Sequence, residues 1–324
     1  MENIKEFMEM TKLEIMEMMP PELMKDIVIE ENTVTKVNDQ VLHGLTIRNI
    51  NNDPAPTIYM DSFFDEYMSG EKTLKAVTGE VLQGYLDSLV TRPDNIPENM
   101  NWDSIKENLT VRLVEVSRNR QFLSDVPYMM VGNGFAYVCD IKMNDGSEGY
   151  WKTTVTRGLM ESEQYNKTEL FTNALAGSVK NSPAVLRSMR DTLFGFDEPA
   201  ENLLLADKEN HSLFDDHMYV LSTDEGIYGA SVMYYPEVKD QIAECLGEGY
   251  YALPSSLHEF LIVPESANMD PVDLGRMVYM ANKEMVDAKD ILSDNILHYD
   301  KDTRTLETIP SEMTREAKDQ ERMC

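Results

Sequence analysis

The sequence predicts an α+β protein with mostly antiparallel sheets and flanking amphipathic helices. Three observations carry this. Short Val-, Ile- and Thr-rich stretches are separated by Asn, Asp, Gly and Pro, apolar stripes recur at helical spacing, and the strand-like stretches come in adjacent pairs rather than in regular alternation with helices. With 42% hydrophobic residues among 324, the chain can bury a core. At about 150 residues per domain, its length fits one large domain or two ordinary ones.

The elements follow in order. Ile4, Phe7, Met8, Thr11, Ile15, Met18 and Met19 form one helical stripe, stopped by Pro20-Pro21, which cannot continue the backbone ladder. Strands are expected at 27–30, 34–37, 41–48 and 57–60, a small meander broken at Asn38-Asp39 and around Pro54. Leu74, Val77, Val81, Leu82, Tyr85 and Leu89 mark a second helix, and 92–102, with Pro93, Pro97 and three Asn, is a surface connection. A helix at 103–109 leads into a strand at 111–116. Strands at 135–141 and 150–155 are joined by an Asn144-Asp145-Gly146 turn. Helices are expected at 168–180 and 184–194, the latter opened by Ser182 and Pro183.

The acidic stretch 198–216 reads as a connecting loop between an N-terminal lobe (1–197) and a C-terminal lobe (217–300). The second lobe has the order ββαββαβ: strands at 218–222 and 227–235, a helix bearing Val238, Ile242, Cys245 and Leu246, strands at 250–253 and 259–263, a helix, and a strand at 296–299. Asp270, Pro271 and Asp273 start that second helix, with Leu274, Met277, Val278, Ala281 and Met285 inward. Residues 301–324 read as a polar, frayed or helical tail.

Charge and composition exclude several function classes. With 29 basic against 58 acidic side chains, the net charge is −29. That disfavours direct nucleic-acid binding and a polybasic membrane anchor, both of which need clustered Lys and Arg. No apolar run reaches 18 residues, and MENIKEFMEM lacks the basic and apolar regions of a secretory signal. Three scattered cysteines, Cys139, Cys245 and Cys324, suit reduced thiols in a cytoplasm. Methionine is abundant, 23 residues with seven among the first 24, and is read as core filler more than as a plastic binding face.

Chemistry-bearing motifs are few. Ser255, Ser256, His258 and Glu259, between two expected strands, place a hydroxyl, an imidazole and a carboxylate within five residues, the ingredients of a nucleophile–base–orienter set. In a strand, however, Ser256 and His258 share a face while Glu259 points away, so a capped turn is the better reading. His211, Asp215, Asp216 and His217 are weak candidates for a divalent ion, better explained as a solvated acidic loop. There is no H-x-x-x-H or C-x-x-C pairing and no phosphate-cradling glycine motif; Gly132-Asn133-Gly134 reads as a plain turn. No cofactor and no metal are expected. Asp61, Asp65 and Glu66 suit the start of a short helix.

Three groups of residues carry a family resemblance. They are Gly44–Arg48 with Ala55–Tyr59; Met218–Leu221 with Tyr235–Val238; and Tyr251–Glu259 with Leu292-Ser293-Asp294. Over about residues 1–300 the chain resembles a family of uncharacterised proteins, a domain of unknown function abundant in gut Firmicutes such as Lachnospiraceae. The resemblance implies a bacterial, cytoplasmic α+β protein with no assigned activity. It also implies a recurring Leu-Pro-Ser-Ser-x-His-Glu stretch, matched by Leu253 through Glu259. The chain departs from the family pattern at 222–231 and in its methionine content.

Function is expected in one of three classes. The first is a non-enzymatic module that binds another protein, a basic one being a candidate, through a sheet edge or a Met-bearing surface. The second is a hydrolase using the 255–259 cluster, and the third an acidic nucleic-acid mimic occupying a basic protein.

Overall fold

The computed structural model describes residues 3–50, 57–90, 101–144, 150–194, 201–205 and 217–311. The chain forms two compact units, Met1–Asn95 and Ile96–Cys324.

In the first unit, α1 (Ile4–Met18) is opened by an Asn3/Glu6 capping box and ends before the two prolines. It buries Phe7, Met8, Thr11 and Ile15, while Met18 is 40% exposed, a correction to the expected stripe. After α2 (Pro21–Met24), β1 (Ile27–Thr35) and β2 (Val41–Asn49) form one long hairpin, where two short strands were expected before the turn. Asn38 and Asp39 turn the chain with φ of +61° and +52°, a conformation short polar side chains tolerate. β3 (Thr57–Tyr59) adds to β2, and α3 (Asp61–Met68) and α4 (Leu74–Val90) complete the unit. Phe7, Ile15, Leu45, Ile47, Met60, Val77 and Val81 form its core.

The second unit contains two antiparallel sheets among its described residues. α5 (Trp102–Ile105) precedes β4 (Leu109–Glu115), and α6 (Phe122–Asp125) precedes β5 (Tyr128–Gly132), β6 (Phe135–Asn144) and β7 (Tyr150–Thr154). The order is β4-β6-β5, with β7 pairing the far half of β6. The expected turn at 132–134 joins β5 to β6, whereas most of the Asn144-Asp145-Gly146 turn lies outside the described residues. After α7 (Arg157–Ser162), α8 (Lys167–Asn181) packs on β4 so closely that a Cβ on Gly177 would stand 2.8 Å from the Leu109 carbonyl oxygen.

The six-stranded sheet runs β13-β12-β10-β11-β9-β8: β8 (Val185–Ser188), β9 (Tyr219–Ser222), β10 (Tyr250–Ser256), β11 (Glu259–Pro264), β12 (Ile296–Asp300) and β13 (Thr305–Ile309). α9 (Met189–Phe194) follows β8, so the helix expected at 184–194 begins as a strand: Val185 and Leu186 are buried in the sheet. α10 (Val238–Leu246) and α11 (Pro271–Glu284) lie where the stripes predicted, and Asp270 caps α11 by accepting from the Val272 N–H at 2.8 Å. Leu274 and Val278 pack on the sheet with Leu253, Val263 and Ile296, but Met277 and Met285 are exposed rather than inward.

Two further expectations are corrected. Residues 227–235 form a 3₁₀ segment (Gly229–Tyr234) instead of a strand, because a close approach governs the backbone there. A Cβ on Gly229 would lie 2.1 Å from Ser222 Oγ and 2.6 Å from the His258 carbonyl oxygen. The start of the polar tail is ordered as β13, paired with β12 from Thr305 to Ile309. The two units divide at Asn95/Ile96, and β8 and β9, on either side of the acidic stretch, pair in one sheet. Within that stretch Asn202 seals the edge of β8, accepting from the Leu186 N–H at 3.0 Å and donating to the Ala184 carbonyl.

Candidate functional site

The turn between β10 and β11 holds the four residues singled out in the sequence. A register shift between Pro254 and Ser256 breaks the strict alternation of the strand. Ser255 Oγ donates to Glu259 Oε1 at 3.2 Å, and Ser256 Oγ accepts the His258 N–H at 3.0 Å, the capped turn anticipated above. The His258 ring faces elsewhere. Its Nδ1 accepts the Tyr228 N–H at 3.1 Å, its Nε2 lies 3.6 Å from Asp290, and the ring stacks on Tyr228 at 5.4 Å. Ser222 donates to the His258 carbonyl at 2.8 Å and the Leu257 N–H to the Asp290 carbonyl at 2.7 Å, so the turn ties β9, the 3₁₀ segment and the 287–290 loop together. Both serine hydroxyls are thus engaged away from the imidazole, and the structure does not bring Ser255, Ser256, His258 and Glu259 together as a triad.

Beyond Tyr228 lies a polar cluster that the sequence alone does not reveal. Thr110 and Arg112 of β4, Asp140 and Lys142 of β6, and Lys152 and Thr154 of β7 share one face of the sheet. Asp140 is fully buried and receives Arg112 Nε at 2.9 Å and Nη2 at 3.1 Å, Lys152 Nζ at 2.9 Å, and the Thr154 hydroxyl at 2.7 Å. Burial works to raise the Asp140 carboxyl, but the Arg112 and Lys152 charges and their hydrogen bonds outweigh it and hold it below its ordinary value. Lys152 also lies below its ordinary value: burial lowers its pKa, the attraction of Asp140 opposes this, and Arg112 adds to the lowering. The Tyr228 ring covers both cations, 3.7 Å from Lys152 Nζ and 5.1 Å from the Arg112 guanidinium. Alternating polar residues on three strands are the available signal, and such alternation ordinarily means a solvated face. Here the Tyr228 segment covers it.

A larger feature is an open groove of about 1030 Å³ between α8 and β5. One stripe of α8 lines it from Lys167 through Phe171, Leu175 and Val179 to Lys180; Tyr128, Met129, Met130, Arg157 and Pro236 form the remainder. Phe171 is buried as the floor, whereas Met130 is 55% and Val179 40% exposed. Lys167 Nζ sits 5.5 Å over the Tyr128 ring, and the Arg157 guanidinium donates to the Ser124 and Leu123 carbonyls.

Of the weak metal candidates, His211, Asp215 and Asp216 lie outside the described residues, and His217 is exposed. Among the described residues no three His, Cys, Asp or Glu side chains are grouped to hold an ion, and no helix is long and apolar enough to cross a membrane.

Comparison with curated proteins and with solved structures finds no match. Residues 4–301 do match one family, and the chain therefore belongs to a family of unknown function, DUF5688.

Proposed function

We propose that this chain is a non-enzymatic protein-interaction module of a bacterial cytoplasm, of the kind found in gut Firmicutes. In this reading the α8–β5 groove receives an extended, apolar segment of another protein that carries carboxylates. The observation behind it is charge complementarity. On a chain of net charge −29, this exposed apolar groove is rimmed by the cations Lys167, Lys180 and Arg157. Lys167 and Lys180 stand thirteen residues apart on one helix, about 20 Å along its axis. β5 ends its sheet order among the described residues, the position at which an added strand pairs. Met129 and Met130 supply the adaptable apolar wall that suits such a segment. Cys139 is a free, buried thiol, in keeping with a reducing compartment. The expected partner is acidic where it touches the groove, which reverses the basic partner suggested by net charge alone.

Selection from a displayed library of random 12-residue peptides tests this. Selected peptides should combine apolar residues with Asp or Glu, and the pair Lys167→Glu and Lys180→Glu should weaken them at least tenfold. Enrichment of basic peptides, or binding indifferent to both substitutions, would refute the reading.

A further inference from the structure

A second, smaller cavity of about 40 Å³ opens beside the polar cluster. Lys142, Lys152, Thr110, Thr223, Ser178 and Tyr228 are among its lining residues. Three features single it out. Thr223 is 5% exposed, and its hydroxyl is buried with no hydrogen-bond partner, the condition a native fold ordinarily avoids. The charges behind the cavity are uneven: among the described residues, Arg112 and Lys152 both bind the one carboxylate of Asp140. Glu225 is taken up by Lys142 at the surface. The volume is about three times the roughly 10–15 Å³ that a single water requires, which matches the three terminal oxygens of a phosphoryl group entering from the open side.

We propose that this cavity is an oxyanion site that takes a phosphoryl group, held by Lys152 and Lys142 and by the Thr223 hydroxyl. A bound anion supplies the missing negative charge beside Lys152 and an acceptor for the Thr223 O–H. The Lys152 ammonium can turn part of its three-donor capacity to the ligand while keeping Asp140. Glu225 also lines the cavity, and its pairing with Lys142 offsets its repulsion of an anion, so that Lys152 carries the net attraction. Tyr228, stacked between Lys152 and His258, fixes one wall; the Leu-Pro-Ser-Ser-x-His-Glu turn supports the site from behind rather than reacting in it.

The test is calorimetric titration of the full-length chain with inorganic phosphate, in a chloride buffer of fixed ionic strength so that screening of the −29 charge is constant. The wild type should bind one phosphate per chain, with a rise in thermal midpoint of roughly 4 °C near saturation. Thr223→Val keeps the side-chain shape and should weaken binding about tenfold. Lys152→Met leaves Asp140 paired with Arg112, so the fold is retained, and binding should weaken by more than that. Lys180→Gln, a groove substitution, should leave the phosphate titration as in the wild type, which separates this site from the groove. Glycerol 3-phosphate as competitor distinguishes the sources: displacement of phosphate at similar concentration means that the site takes the phosphoryl end of a larger molecule, and failure to displace it means the free ion. If phosphate does no more than chloride, or if Thr223→Val and Lys152→Met bind it like the wild type, the proposal falls.

Discussion

Glu115, at the end of β4, shows what one buried side chain demands of its surroundings. Its Oε1 accepts from the Ser293 hydroxyl at 3.0 Å and from Asn295 Nδ2 at 3.3 Å, with the Arg118–Asp294 ion pair beside it. Burial pushes the carboxyl above its ordinary value near 4.5; the Ser293 hydrogen bond and the Arg118 charge pull the other way and do not overcome it. The sign of the linkage follows. Between the unfolded value and the raised folded value the native state holds more protons than the unfolded state, so this group's contribution to stability falls as pH rises through that window. Glu115→Gln keeps an oxygen acceptor for Ser293 and Asn295 and removes the titration. The variant should therefore gain on the wild type as pH is raised from 4.5 to 7, by at most about 1.4 kcal/mol per pH unit. Urea midpoints measured across that range would show this, and a constant or shrinking difference would contradict it. None of this is legible in the sequence, because Glu115 and Ser293 are brought together only by the fold. The same holds for His258: its immediate neighbours suggest a catalytic set, while its real partners, Tyr228 and Asp290, lie about thirty residues away in either direction.

Elements with a strong local signal are legible in the sequence. α11 has its cap, its N1 proline and its inward Leu274 and Val278, and α10 has Val238, Ile242 and Leu246. Sequence and structure part where tertiary contacts override propensity. Residues 232–235, Val-Met-Tyr-Tyr, favour a strand, but Gly229 must pass against Ser222 and His258, and Tyr228 takes φ of +52°. The resulting 3₁₀ segment has a definite task. β4 is an edge strand, and its outward N–H groups at Val111 and Leu113 are met by Ser178 Oγ at 2.9 Å and Ser231 Oγ at 3.1 Å, from α8 and the 3₁₀ segment respectively. Two hydroxyls thereby close an edge that would otherwise bury unpaired donors. Ser231→Ala should leave the Leu113 N–H unpaired inside the protein and destabilise this unit by about 1–3 kcal/mol. Ser178→Ala should act similarly on Val111. A chemical denaturation series would read both, and a change within about 0.5 kcal/mol for either would mean that water replaces the hydroxyl.

At the scale of the whole chain, the division at Asn95/Ile96 falls inside the stretch with Pro93, Pro97 and three Asn, which reads as a connection in the sequence. The acidic stretch 198–216 looks like the stronger boundary because charge runs commonly mark linkers. A run of acids does not, however, prevent the strands on either side from pairing. β8 and β9 are in register from Val185↔Ser222 to Ser188↔Tyr219, and Asn202 and Leu203 bind the β8 edge. The first unit has a core of its own around Phe7, Leu45, Ile47 and Val81, and the second has its own around Leu253, Val263 and Leu274. Independent cores make independent folding the expectation. Residues 1–95 and 96–324, expressed separately, should each unfold cooperatively and give dispersed amide NMR spectra. Fragments cut at the acidic stretch, 1–197 and 217–324, should behave differently. The second would carry β9 without β8 and an exposed sheet edge, and would lack the β4–β6–β5 sheet that supplies Ser231 with its partner. It should therefore aggregate or give a collapsed spectrum. Cooperative folding of 217–324 alone, or failure of 96–324 to fold, would move the boundary back to the acidic stretch.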